Sequence, residues 1–157
     1  MQGTRDRVVD QQKPVARGLA RLGGLQNLAL LALRAVIGIV MAYHGWQKIT
    51  GGISNFAGFI ETLNVPFPDL MAYVVTALEL GGGILLIIGL LTRVWALLIA
   101  TEMVFTTLLV KLDIGLIAPE GAGAELDLLI LAGCLIVLIL GPGAFSADRA
   151  LGIEPAP

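Results

Sequence analysis

Residues 28–49 read LALLALRAVIGIVMAYHGWQKI, and the fold turns on what this stretch is. It is long enough to cross a bilayer as a helix, since about 20 apolar residues suffice. Yet it carries Arg34, His44 and Lys48. Hydrocarbon is a poor place for such groups, so they must face protein, water or the interface. A helix turns about 100° per residue. On that wheel Arg34, Gly38, Met41, His44, Gly45 and Lys48 fall within roughly 120° of arc, and the rest is Leu, Ile, Val and Ala. One face suits lipid. The other suits neighbouring helices with something polar between them, and His44 is the only histidine in the sequence.

Composition points the same way. Of 157 residues, 57% are hydrophobic and 14% charged, with a mean hydropathy of +0.89, far from the averages of soluble domains. The length suits one domain. A net charge of −2 gives no reason to expect a nucleic-acid partner. Cys134 is the single cysteine, which rules out an internal disulfide or a Cys-x-x-Cys redox pair. One histidine cannot ligate a haem from both sides, and no metal site is expected. Any redox role must borrow its electron carrier.

Outward from residues 28–49, the N-terminal residues 1–27 form a polar, basic tail. It is expected to be partly disordered, with residues 14–26 suited to a short interfacial helix. The apolar run that follows is too long for a secretory signal. Further apolar segments lie at about 70–90, 93–112 and 124–140, each near spanning length. Lipid offers no partner to an unpaired backbone group, so helices are the only sensible assignment. The expected fold is all-α: an integral membrane four-helix bundle over residues 28–142, with a tail at 143–157. Lysine and arginine counts set the orientation. Arg5, Arg7, Lys13, Arg17, Arg21, Arg93 and Arg149 fall on one side, while Lys48 and Lys111 mark the other membrane face. Both termini are expected to be cytoplasmic, with the longer loops 50–69 and 113–123 outside.

In the first external loop Ile53, Phe56, Ala57, Ile60 and Leu63 repeat at helical spacing, between Gly51-Gly52 and the prolines Pro66 and Pro68. This predicts a short amphipathic helix over the bundle mouth, serving as a shield or as a lid. Thr92 is placed to N-cap the third helix, and Gly141-Pro142-Gly143 to stop the fourth.

Glu79 and Glu102 lie near the centres of the second and third segments. An ionised carboxylate there costs several kcal/mol unless it is paired, hydrated or protonated. Glu79 shares a face with Ala72, Thr76, Gly82 and Gly83, and small residues let helices approach closely. Glu79 sits between the levels of Arg34 and of His44 and Lys48 and can reach either; the preferred pairing is with His44 or Lys48, one turn apart on one face, which leaves Arg34 able to snorkel toward the cytoplasmic interface. Glu102 reads as a carboxyl bonded within the bundle. Tyr43 and Trp46 read as interface anchors and Cys134 as packing. Asp113, Glu120, Glu125 and Asp127 read as a solvated acidic rim.

Arg34, the Gly38 region, His44-Gly45-x-x-Lys48, Glu79 with Gly82-Gly83, Gly89-Leu90-Leu91-Thr92-Arg93, and Gly141-Pro142-Gly143 with Ser146 and Asp148 form an ordered set. Together they resemble the DoxX family over roughly residues 28–150. The resemblance implies a small bacterial four-helix membrane protein, multi-pass in the cell membrane, in a group associated with membrane redox chemistry. Related chains include subunits of a thiosulfate:quinone oxidoreductase. Some actinobacterial members are linked to a complex with superoxide dismutase and a sulfurtransferase.

Two readings of the buried charges stand side by side. In one, Arg34, His44, Lys48 and Glu79 form an ion network that fixes helix register. In the other, Arg34, His44, Lys48, Glu79 and Glu102 bind a quinone head group, and Glu79 and His44 relay protons as catalytic residues. No haem, flavin or thiol-pair signature is present, so electrons come from a partner or directly from substrate. The expected partners are the lipid bilayer and either other subunits or further copies of the chain. A non-catalytic anchor or assembly subunit is the alternative. A small-solute carrier is a third reading, which no broken-helix repeat supports.

Overall fold

The structure is a computed structural model that describes residues 25–119 and 121–154. The basic tail, most of the expected interfacial helix at 14–26 and Glu120 lie outside the described residues. The described residues form helices, with no strand among them. In chain order these are α1 (Gln26–Gly51), α2 (Ile53–Thr62), α3 (Pro68–Ile88), α4 (Thr92–Lys111), α5 (Ala124–Leu140) and α6 (Ala147–Ala150). The helices α1, α3 and α4 are long and apolar enough to cross a membrane, and α5 is shorter at 17 residues.

The sequence-based bounds hold to within about two residues, and their chemistry explains the ends. Gly52 breaks the chain between α1 and α2 at φ +92°, a conformation glycine adopts without penalty. The amphipathic helix forms as expected, and Ala57 and Ile60 of α2 pack with Ala72 of α3 in a small second core. Pro68 starts α3 at its first turn, where its missing N–H leaves no bond unmade.

The α-helical ladder is interrupted twice. Leu78–Gly82 within α3 and Thr107–Lys111 at the end of α4 are π-helical. Neither was expected from the apolar periodicity. Such single-turn segments are rare and often mark functional sites.

The main core joins Ile37 and Met41 of α1, Leu86 of α3, Ile99 and Met103 of α4, and Ile130, Cys134 and Val137 of α5. Cys134 is fully buried there, as expected of a packing residue. Along the α1–α3 seam the backbones nearly touch. A Cβ at Gly38 would stand 2.5 Å from the Gly83 oxygen, and one at Gly45 2.5 Å from the Leu80 nitrogen. Only glycine fits at this distance.

The bundle end opposite α2 is clamped by the C-terminal segment. Gly141, at φ +83°, stops α5, and the chain then folds back beneath α1, α3 and α4. Leu91 takes the N-cap position of α4 in the left-handed region at φ +50°, so Thr92 is a first-turn residue and not the cap. The capping acceptors come instead from Asp148, which takes bonds from the Leu91 N–H at 2.6 Å and the Thr92 N–H at 2.8 Å. Arg34 is fully buried, which corrects the expectation that it snorkels. Its Nη2 donates to the Phe145 carbonyl beside Asp148, because the clamp offers it a protein acceptor where hydrocarbon would otherwise be.

Removing Asp148 leaves two N–H groups at a buried helix start without their acceptors, a loss of about 1–3 kcal/mol. Asp148→Ala is therefore expected to lower the melting temperature of the detergent-solubilised protein. Asp148→Asn keeps one acceptor and falls between. Equal melting of all three proteins would refute the clamp.

Candidate functional site

Beneath α2, at the end of the bundle away from the clamp, lies a cavity of about 630 Å³ bounded by α1 to α5. That volume is ordinary for a small-molecule site, which spans roughly 300–1,000 Å³. Its walls are mainly apolar, with Phe56 and Ile60 from α2, Val75 and Leu78 from α3, and Leu98 and Phe105 from α4. The polar groups gather on one side: His44 and Lys48 from α1, Glu79 from α3, Glu102 from α4 and Asp127 from α5.

The geometry begins with the α1–α3 seam. Contact at Gly45 brings the last turns of α1 against Leu78–Gly82, and Glu79 lies in that π-helical segment. Lys48 Nζ reaches both carboxylate oxygens, at 2.6 Å to Oε1 and 2.5 Å to Oε2. The two side chains are 18% and 7% exposed. The ammonium also stands over the Phe56 ring, 4.7 Å from its centroid, a cation–π contact that ties the pair to α2. Of the two partners anticipated for Glu79, Lys48 makes the bond. His44 lines the same cavity, on the side of the Asp127 carboxylate.

Glu102 lies beside the Glu79 carboxylate. Its Oε2 is buried with no donor to accept from, and the Glu79 carboxyl lies within hydrogen-bonding reach. Asp127 is only 5% exposed. Its Oδ2 accepts from Thr107 Oγ1 at 3.5 Å, and Lys111 lies nearby. Lys111 Nζ in turn donates to the Ala122 carbonyl at 2.5 Å. The result is a belt of ionisable groups from Lys48 through Glu79, Glu102 and Asp127 to Lys111. Among the described residues, no group of three or more His, Cys, Asp or Glu side chains is placed to hold a metal ion. The belt can bond to oxygen atoms on a ligand and pass protons among its members.

The structure thus gathers His44, Lys48, Glu79 and Glu102, and separates Arg34 from them. Arg34 belongs to the clamp at the opposite end of the bundle, bound to Phe145, and does not line the cavity. Asp127 was expected on a solvated rim and instead faces inward. Its signal was present in the sequence: Asp127, Ile130, Cys134 and Val137 share one buried stripe of α5 at helical spacing. Tyr43 and Trp46 are exposed on the outer surface and take no part in the cavity. Glu125 is half-buried, and Asp113 is exposed.

A buried ion pair with one partner removed leaves an uncompensated charge, a loss of about 3–5 kcal/mol. Lys48→Met is therefore expected to destabilise the protein strongly in a denaturation series. The double replacement Lys48→Met/Glu79→Leu is expected to recover most of that loss. Additive effects in the double-mutant cycle would mean that the two side chains do not interact.

Comparison with known proteins agrees with the fold. The family model DoxX matches residues 29–112. The chain is 33% identical to the "Putative oxidoreductase CatD" of Bacillus subtilis, covering 82% of this chain and 87% of that protein. It is 35% identical to the inner membrane protein YqjF of Escherichia coli, covering 81% and 95% respectively. It is 31% identical to the membrane protein Rv3486 of Mycobacterium tuberculosis, covering 78% and 81%. No solved structure matches it. With an all-helical bundle, long apolar helices and these relatives, the chain is a membrane protein that belongs to the DoxX family.

Proposed function

We propose that this protein is a multi-pass cell-membrane subunit, with four spans and both termini cytoplasmic, that binds a quinone head group and takes part in its redox chemistry. One observation carries the reading: the buried Glu102 carboxyl stands beside the Lys48–Glu79 pair at the polar end of an apolar cavity. A quinone has the complementary form, an apolar ring with oxygens at its edge. The residues present fit such a group. Lys48 and His44 are donors for a carbonyl, and Glu102 donates to it when protonated or accepts from the hydroquinone hydroxyl. A relative named as an oxidoreductase supports the redox part of the reading. The orientation rests on the basic residues Arg93 and Arg149 at the clamped end.

Reduction of a quinone to a hydroquinone takes up two electrons and two protons. The belt of Glu79, Glu102, His44 and Asp127 is suited to the protons. The electrons come from a partner subunit or a reducing substrate.

The test is native mass spectrometry of the complex after gentle extraction from its own membrane. A quinone is expected at one per chain, and Glu102→Leu is expected to lose it. Glu79→Gln is expected to fold and to lower quinone turnover by a factor of about 10² or more, as for loss of a proton-transfer group. A complex that carries no quinone, and keeps full activity with either substitution, would sink the reading and leave the anchor role.

A further inference from the structure

The cavity has a side opening. The helices α3 and α4 are joined by the tight turn at Leu90-Leu91 and pack together through Leu78–Ile88. Toward α2 they part, and Pro68–Ala77 hardly touches α4. The closely packed face of α4, with Ala96, Ile99, Ala100 and Met103, is buried against the core. Its next face carries Leu98, Thr101, Glu102, Phe105 and Leu109, all of which line the cavity. Four of these are also open at the outer surface of the bundle: Thr101, Leu98 at 39%, Phe105 at 58% and Leu109 at 46%. Residues that both line a cavity and face outward mark where it breaks through. Val75 and Leu78 of α3 stand on the other side of the gap.

The chemistry of the gap is that of a lipid-facing wall. Leu98 and Phe105 are apolar, and the one hydroxyl, that of Thr101, is turned back onto the Leu97 carbonyl at 2.8 Å. Such back-bonding satisfies a hydroxyl where no water is at hand. Thr101 lies near the middle of α4, which is long and apolar enough to span. Toward the loops Phe59 of α2 lines the cavity and is 45% exposed, so a smaller set of residues opens there. Phe56 and Ile60 of α2 roof the cavity, and Lys111 is bonded across to Ala122.

Resting on the reading of the cavity as a ligand site, we infer that its ligand enters sideways from the bilayer between α3 and α4. The ligand is a lipid-dissolved amphiphile. Its oxygen-bearing head reaches Glu102 and the Lys48–Glu79 pair, and its apolar tail stays in the gap between Val75 and Thr101. Thr101 and Leu98 then select for a tail, and the belt selects for the head.

The test compares two ubiquinone-type benzoquinones with the same head, one bearing a decyl chain and the other a methyl group in its place. Binding to the full-length protein in lipid nanodiscs is read from quenching of tryptophan fluorescence, with ligand expressed per mole of lipid. Thr101→Phe and Leu98→Phe narrow the gap from two different turns, so the test does not hang on one variant. Each is expected to weaken the decyl compound about tenfold, as if roughly two methylenes were left unburied, and the methyl compound by no more than about twofold. Leu97→Phe, exposed on α4 outside the cavity lining, is expected to change neither. Equal weakening of both compounds, or no weakening of the decyl compound by either variant, would overturn the side entrance. So would a disulfide between Thr101→Cys residues of two copies, which would place a second chain over the gap. Failure of the underlying reading looks different: neither compound binds the unaltered protein, or Glu102→Leu leaves both affinities unchanged.

Discussion

Both oxygens of Glu79 are held by one ammonium, at 2.5 and 2.6 Å, inside a helix whose other side chains suit hydrocarbon. Much else in the bundle follows from that bond. A carboxylate at this depth must be compensated, and the compensation has to come from another helix. Lys48 supplies it only because α1 and α3 approach to backbone contact. That approach in turn requires glycine at Gly38, Gly45 and Gly83, where any Cβ would collide with main-chain atoms. The charge pair and the small-residue seam are thus one constraint. The seam sets the separation of the helices, and the pair sets their register.

The two ends of the bundle divide the labour. At one end the ionic groups bond to protein: Asp148 with the start of α4, Arg34 through one nitrogen with the Phe145 carbonyl while its Nε and Nη1 stay unpartnered, and the exposed Arg93 with Glu154 at 2.9 Å and with the Leu138 carbonyl. Their positions follow the need to satisfy backbone groups at helix ends. At the other end the polar groups face a cavity, and Glu102 there has a carboxyl oxygen with no donor to accept from, beside Glu79. Buried polar atoms in folded proteins are nearly always bonded, and Glu102 differs from the other unpartnered ones, such as Arg34 Nε and Thr92 Oγ1, in lining the cavity.

Much of this was legible in the sequence, for identifiable reasons. The apolar runs gave the long helices, since 3.6-residue periodicity and bilayer length are both written in composition. The spacing of Ile53, Phe56, Ala57 and Ile60 gave α2. Glu79 could be assigned a basic partner on α1, because a charge in such a helix has few options. What stayed hidden depended on the return path of the chain. Nothing near Arg34 or Thr92 announces that a segment more than fifty residues beyond Thr92 will fold back onto both. Without it, snorkelling and a local cap were the natural readings. Asp127 was misread because a carboxylate in the first turn of a helix is usually a solvated favourable end charge. The π-helical segments leave no mark in hydrophobic periodicity, yet one contains Glu79 and the other ends at Lys111, so both bound the polar belt.

The belt itself separates the two readings of the buried charges by residue. Lys48, Lys111, Glu79, Glu102 and Asp127 bring two cations to three carboxyls, with His44 alongside. Lys48 is committed to Glu79 through both oxygens, and Lys111 lies on the Asp127 side, shared with Ala122. Glu102 is the carboxyl left over. The Lys48–Glu79 pair has the geometry of a structural element, short, two-pronged and seated under Phe56. Glu102 has the opposite character: it sets a second carboxyl next to Glu79, where a pure register device would have placed an apolar side chain. A group that works against local stability and faces a cavity fits a ligand-binding role better than a structural one. On the proposed reading, register and chemistry fall to neighbouring carboxyls on different helices, and the α1–α3 seam holds one in place for the other.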